Sequence, residues 1–597
     1  MHPKRHVVYT GEKVDMGGQL SRLIGHAKDI VLPFIVAILF ACGGVVLTII
    51  GPNQLSKITQ YIIDGIATGI DMEAIARTAL FLLGLYVLSA IFGFIQHFIL
   101  ATVTLRLSNR LRADIFDKVN RAPMKLFGRI PYGDILSRMT NDVNTLVQSL
   151  SNSLPSMVSA AAQFIGCLVM MFITEWHMSL AAIGATLLGF ALMGLIMSRS
   201  QKYFLARQTS LGQLNGYVEE MYTGHDVVRI SRAEKKMKSE FDRLNKEVYQ
   251  ANRKSQFISG IMQPLMGFVG NLGYVAVCIY GSKLAMDGVI DFGVIVAFIM
   301  YVRLFTSPLS TLAQGMTQMQ AAAAAGKRVF DFLEEEELED ESEKESYTAQ
   351  VKGQVEFKNL RFGYSEDQKN AVIKDFSTSV KPGQKIAIVG PTGAGKTTIV
   401  NLLMRFYELW GGSILIDGVP TSQMKREDVH SMFSMVLQDT WMFQGTVREN
   451  LVFNCEQVPD ETIEKACRAC GIWDFVESLP EGLDTVLTEN TSISAGQKQL
   501  FTIARAMIQN RPMLILDEAT SALDAVTEAA IQQSFDALAK GRTTLIIAHR
   551  LSTIRNADRI VVVDDNHIVE EGTHAALMAQ NGEYARLYNA QQAVARA

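Results

Sequence analysis

The chain has no excess of basic charge: 56 Lys and Arg stand against 60 Asp and Glu, for a net charge of −4. A nucleic-acid partner, which needs a concentrated positive face, is a poor reading for such a chain. Cysteine is sparse as well. Cys42, Cys167, Cys278, Cys455, Cys467 and Cys470 are scattered, and nothing in their spacing suggests a disulfide framework. Three of them fall in apolar stretches, where a free thiol behaves as a small hydrophobe. Cys467-Arg-Ala-Cys470 has redox or metal spacing, but no second Cys or His pair accompanies it and the segment reads as a helix. The first thirty residues are polar and lack a cleavage-type apolar run, so no signal peptide is expected.

What the chain does have is apolar sequence: 48% of the 597 residues are hydrophobic. They are concentrated before about residue 312. A helix needs roughly 20 apolar residues to cross a core of about 30 Å. Six stretches qualify, near 30–52, 76–104, 153–174, 178–199, 257–286 and 291–312. The third and fourth are joined only by Glu175-Trp176-His177, a tight hairpin with an interfacial Trp.

Lys and Arg cluster after the second stretch, from Arg106 to Arg138, and again after the fourth, from Lys202 to Lys254. The opposite side has little beyond Lys57 and Lys283. By the positive-inside rule both long loops and both termini are cytoplasmic. Each loop reads as two helical arms meeting at a break, with Gly133-Asp134 and Thr223-Gly224-His225 as the breaks. Either the tips are solvated hairpins or they meet a second domain.

Polar groups inside the stretches are few: Gln96, His97, Gln163, Asn271 and Arg303. Such groups face a bundle interior or a cavity, though helix–helix hydrogen bonding explains each of them equally well. Met170, Met171, Met193, Met197, Met262, Met266 and Met300 offer a soft lining for varied apolar ligands, or plain core packing. The run "EEEELEDESEKESY" has no apolar periodicity and reads as a solvated linker.

The second half carries the chemistry. "KIAIVGPTGAGKTTIVNLLMRF" is a β-type run, a Gly-rich loop and a helix. Gly390, Gly395, Lys396 and Thr397 have the spacing of a phosphate-binding loop in that context. Thr392, Gly393 and Thr398 complete the run, whose successive backbone N–H groups wrap phosphate at a helix N-terminus. Lys396 is expected at the β- and γ-phosphates of ATP, and Thr397 on Mg²⁺. "MLILDEAT" is a buried strand ending in two carboxylates. Asp517 is expected to hold Mg²⁺ and Glu518 to polarise an attacking water. A surface Asp-Glu loop is the alternative, and the four apolar residues before it argue against that. "TTLIIAHR" is another β-type run, ending in His549, which gains a role beside the γ-phosphate if the two strands are parallel. In "ENTSISAGQKQL", Ser494 and Gln497 form a capping box ahead of an amphipathic helix.

Taken together, these motifs resemble the ABC exporter half-transporters, from about residue 18 to the end. "RFGY" resembles the aromatic loop that stacks on adenine through Tyr364. "VLQDTWMFQGTVRENL" resembles the Q-loop region, which implies that Gln438 contacts Mg²⁺ and the attacking water. "SALD" resembles the D-loop ending at Asp524, and His549 matches the switch histidine. "ISAGQ" stands at the signature position, which implies that Ser494, Ala495, Gly496 and Gln497 face ATP held by a second subunit. "GDILSRMTNDV" and "EEMYTGHDVV" resemble the segments around two coupling helices.

The resemblance implies a six-span α-helical transmembrane domain fused to a cytoplasmic α/β P-loop ATPase domain. The expected division is a cytoplasmic N-terminal segment at 1–29, the transmembrane domain at 30–325, an acidic linker at 326–350 and the nucleotide-binding domain at 351–597. It implies ATP and Mg²⁺ as cofactors, residence in the plasma membrane among lipid, and export of drug-like or lipid-like compounds by alternating access. A lipid flippase uses the same machinery, and an ATP-gated channel or regulatory subunit is the rival from another class. Each ATP site needs parts of two chains, so a dimer is implied. The family's usual signature is Leu-Ser-Gly-Gly-Gln; Ile493, Ala495 and the preceding "LTEN" depart from it. That departure is similar to the catalytically intact half of bacterial heterodimeric exporters, so the second half-transporter is expected to be a different chain.

Overall fold

The computed structural model describes residues 15–26, 28–347, 350–365, 370–438, 440–455, 457–488, 493–517, 525–547 and 554–596. The chain divides into two compact units: residues through Asn120 with Tyr132–Glu335, and Arg121–Pro131 with Glu336 onward.

The first unit is helical. α1 (Met16–His26), α2 (Lys28–Thr68) and α3 (Met72–Arg121) precede the excursion of α4 (Met124–Arg129) into the second unit. Then come α5 (Tyr132–Thr174), α6 (Trp176–Thr223), α7 (His225–Ile230), α8 (Glu234–Met286) and α9 (Phe292–Leu333). Among the described residues five helical segments are long and apolar enough to cross a membrane. The fourth expected stretch is met by a shorter apolar segment, Trp176–Gly189, at the start of α6.

Large apolar side chains such as Leu39, Leu80, Phe94 and Phe98 stand exposed on these helices. A bilayer tolerates them where water would not. The buried side chains of the unit, among them Met171, Met178, Val277, Phe298 and Tyr301, form a continuous core between α2, α5, α6, α8 and α9. Thus Met171 serves packing; Met170 and Met300 are half-buried, and the side chains of Met193, Met197, Met262 and Met266 lie outside the described residues.

The hairpin at Glu175 is closed by its own chemistry. Glu175 is extended (φ −162°, ψ 114°), and its carboxylate accepts from the His177 backbone N–H at 3.2 Å and pairs with the His177 ring at 2.8 Å. The second long loop breaks at Gly224, which caps α6. The first does not break at Gly133-Asp134, which lie inside α5; its tip is α4, which ends at Arg129, just before them. Two prolines decide this. Pro123 caps α4 with an extended backbone, and Ile130, also extended, precedes Pro131, which disfavours helix at the residue before it.

In the second unit, β1 (Val355–Phe362), β2 (Ile373–Val380), β3 (Lys385–Val389), β4 (Gly411–Ile416), β5 (Val419–Pro420) and β6 (Phe433–Val436) belong to one large sheet. β7 (Gly445–Thr446) and β8 (Val486–Leu487) pair separately. β9 (Met513–Asp517), β10 (Thr543–Ile547), β11 (Arg559–Asp564) and β12 (His567–Gly572) complete the large sheet. Its order is β5-β4-β1-β2-β12-β11-β3-β10-β9-β6.

The strands β11, β3, β10, β9 and β6 run parallel. Their uniformly apolar sequences match, because a parallel sheet is covered on both faces. Alternate residues divide between the two faces. Ile386 and Ile388 join the core containing the helix Lys396–Leu403, while Ala387 and Val389 join the core containing the helix Ala495–Gln509. Both phosphate-related helices are thereby seated on the same sheet, from opposite sides.

Candidate functional site

The parallel strands end in register. Asp517 pairs with Ile547, Ile547 with Ile388, and Leu516 with Val436, so the C-termini of β9, β10, β3 and β6 share one edge. Among the described candidates, Asp517 ends β9 at this edge. Gln438 lies two residues past β6 and is exposed. Glu518, Asp524 and His549 lie outside the described residues.

After β3 the chain makes the phosphate loop. A β-carbon on Gly390 would fall 2.0 Å from the Val563 carbonyl oxygen, so only glycine fits at the strand end. Gly395, at φ +91°, takes the left-handed conformation that starts the helix Lys396–Leu403, and Gly393 is left-handed as well. Thr392 and Thr397 are exposed, and Thr398 is buried.

The Lys396 ammonium folds back over the loop, donating to the Gly390 and Pro391 carbonyls at 2.8 Å each. Burial holds this ammonium below the ordinary lysine range, against the opposing pull of the Asp517 carboxylate. Asp517 is itself buried at the end of β9. Thr397 and Asp517 present only oxygen, the donor type that a hard cation such as Mg²⁺ prefers.

Tyr364 follows β1. Its hydroxyl lies 3.0 Å from the Thr398 hydroxyl, and its ring packs edge-on against Phe362 and Tyr407. Beside it opens a cavity of about 320 Å³, lined in part by Phe362, Tyr407, Trp410, Arg405 and Lys125 of α4. Sequence reasoning singled out Tyr364 alone. The signal for its neighbours was present in the aromatic run that follows the P-loop helix.

On the other face of the sheet, Ser494 (φ −66°, ψ 157°) caps the helix Ala495–Gln509. Its hydroxyl accepts from the Gln497 backbone N–H at 3.2 Å, and the Gln497 side chain accepts from the Ser494 N–H at 2.9 Å. Ala495 is the first helical residue, with no left-handed backbone. Alanine there carries no Cβ strain and is up to about 1 kcal/mol better than glycine. Gly496 is buried, whereas Ser494 and Ala495 are exposed. Within one chain, nothing brings this helix start to the phosphate loop: they are fixed to opposite faces of the sheet.

A phosphate loop with this strand edge, in a chain that also carries apolar spans, is matched by two family descriptions. Residues 34–309 match the family described as ABC transporter transmembrane region, and residues 373–521 match the family described as ABC transporter. The chain belongs to the ABC transporters. It is a half-transporter of the exporter type, a multi-pass membrane protein that binds and hydrolyses ATP.

A fatty acid ABC transporter ATP-binding/permease protein of Mycobacterium tuberculosis is 43% identical over 87% of this chain and 82% of its own length. A probable multidrug resistance ABC transporter of Bacillus subtilis is 33% identical over 85% and 76%. An ATP-dependent lipid A-core flippase of Thiobacillus denitrificans is 33% identical over 95% and 97%.

Most of the acidic linker of this transporter is exposed, in keeping with the solvated run expected, but Glu341 departs from it. Glu341 is nearly buried, paired with Arg405 at 2.8 Å, Arg426 at 2.7 Å and Lys344 at 3.0 Å. Burial alone would raise its carboxyl; hydrogen bonds from the Arg426 backbone and Lys344, with the two guanidinium charges, hold it below the ordinary range. Cys467 and Cys470 are buried in the apolar core, and burial pushes both thiols up to about 12. Gln163 donates to the Leu304 carbonyl at 3.1 Å. That carbonyl is four residues before Pro308, which has no N–H to offer it, so Gln163 fills the gap left in α9.

Proposed function

We propose that this chain is one half of an ATP-driven exporter of amphipathic compounds, working by alternating access in the plasma membrane with both termini cytoplasmic. The observation that carries the reading is the Lys396 ammonium folded over the phosphate loop beside the buried Asp517 carboxylate. The range of cargo named for its relatives, a fatty acid, drugs and lipid A, supports an amphiphile as substrate.

In this reading Thr397, Asp517 and Gln438 hold Mg²⁺, which when bound neutralises charge on the phosphates. Tyr364 receives the base, and Gly390, Thr392, Gly393, Gly395, Lys396 and Thr398 hold the phosphates. Glu518 takes the proton of the attacking water, with His549 beside the γ-phosphate and Asp524 at the subunit junction. Ser494, Ala495, Gly496 and Gln497 cover the nucleotide of the other subunit. ATP binds the closed pair better than the open one and therefore shifts the population towards closure.

The partner is a second half-transporter, and the altered "LTEN" stretch with Ile493 supports a different chain. ATPase measured on the chain purified alone tests this. Little turnover until a second half-transporter is added is expected; robust Glu518-dependent turnover by a stable homodimer would contradict it.

A further inference from the structure

We propose that Arg303 is the headgroup anchor of the substrate pathway, and that the exported compound is an amphiphile with an acidic headgroup. This rests on the export reading above and narrows it.

Among the six apolar stretches, Arg77, Arg199, Lys283 and Asp291 sit at or near the ends. Arg303 is the one Asp, Glu, Lys or Arg in an interior. It lies eleven residues into α9, which begins at Phe292. At about 1.5 Å per residue that is about 17 Å, close to the middle of a hydrocarbon core of about 30 Å. A guanidinium at that depth is costly unless it meets an anion or water, and intramembrane charge marks ligand pathways.

The local packing shows which face it occupies. α8 and α9 approach so closely that a β-carbon on Gly273 would stand 2.9 Å from Val302 Cγ1, and one on Gly281 3.1 Å from Ile295 Cγ1. The two pairs run in opposite chain directions, so the helices are antiparallel. Tyr274 and Arg303, each one residue past the first pair, are both exposed. Among the described residues the Arg303 guanidinium has no hydrogen bond or ion pair, and only the Arg303 carbonyl is engaged, accepting from the Thr306 hydroxyl at 3.3 Å. Exposed Ser307, Gln314 and Thr317 continue a polar stripe along α9 from Arg303, while Phe268 and Ile279 expose apolar surface on α8. One cation and a phenol at the head of an apolar wall are complementary to one acidic group on an acyl chain.

The other source of a counter-charge is a partner subunit. A second copy of this chain brings none, because its apolar stretches contain no interior carboxylate either. With no interior carboxylate from this chain, the anion is assigned to the ligand; a carboxylate brought by a different half-transporter is the rival that the subunit-dissociation readout separates.

The test uses the purified transporter, with whatever half-transporter it requires, in zwitterionic vesicles. Stimulation of ATPase by oleate, oleyl alcohol and oleylamine is read for wild type, Arg303→Gln and Arg303→Lys, each normalised to its own unstimulated rate. Phosphatidylglycerol in a parallel arm separates a lipid phosphate from a carboxylate. A lost charge-assisted hydrogen bond predicts that Arg303→Gln needs about tenfold more oleate or more, that Arg303→Lys needs less than that, and that oleyl alcohol is unaffected. Equal shifts for oleate and oleyl alcohol, or none, would overturn the assignment. So would dissociation of the subunits in folded Arg303→Gln, which would make the arginine an interface residue. A wild type that responds equally to all three amphiphiles keeps the export reading and sinks only the anchor; one that responds to none removes both.

Discussion

Ala495 starts the signature helix with helical backbone, although glycine is the usual residue there in the exporters this chain resembles. At a first-turn position the methyl group favours the helix and leaves the backbone N–H in place. Ala495→Gly is therefore expected to lower stability by up to about 1 kcal/mol while leaving ATP turnover within about twofold, roughly 0.4 kcal/mol of barrier. Ser494→Ala, which removes the cap, is expected to cost about 1 kcal/mol of stability and to lose turnover as well. Thermal unfolding and ATPase of the two variants check both statements. A second residue-scale expectation concerns thiols. Cys467 and Cys470, buried and pushed up to about 12, are expected to resist alkylation at pH 8 in the native protein, whereas the half-buried Cys455 reacts first. Mass spectrometry after timed iodoacetamide exposure reads the order.

At the scale of elements, α9 depends on Gln163 to meet the carbonyl that Pro308 leaves free. Gln163→Leu is expected to cost about 0.5–2 kcal/mol, the range for interhelical hydrogen bonds in membranes, read as thermal stability in detergent. The linker is tied down by Glu341. Removing one member of a nearly buried ion cluster costs about 3–5 kcal/mol, so Glu341→Ala is expected to unfold the ATP-binding unit at a clearly lower temperature. Its pH dependence follows from the direction of the shift. The folded carboxyl is held below the ordinary glutamate range, so its contribution is complete above that range and is lost as pH falls through the folded value. The destabilisation by Glu341→Ala should therefore shrink in acid.

These elements also show what the sequence could and could not disclose. The capping box and the phosphate loop were legible because their partners lie within a few residues of one another. Glu341 with Arg405 and Arg426, and Gln163 with the Leu304 carbonyl, are pairings across 64 to 141 residues that no local pattern announces. The tip of the first loop lies at α4 and not at Gly133, because proline constrains the residue before it whereas glycine only permits a break.

At the scale of the whole molecule, the P-loop helix and the signature helix lie on opposite faces of one sheet, which supports the proposal that a complete ATP site draws on two chains. The apolar spans and the exposed lipid-compatible faces of α2 and α3 place the other half of the machine in the bilayer. The central claim is that ATP turnover moves an amphiphile across that bilayer. It is tested most directly by ATP-dependent uptake of a fluorescent amphiphile into inverted membrane vesicles containing wild type or Glu518→Gln. Uptake that requires ATP and falls to background in Glu518→Gln, while ATP still binds, is the predicted result. Nucleotide-dependent conductance without uptake, or uptake unaffected by Glu518→Gln, would contradict it.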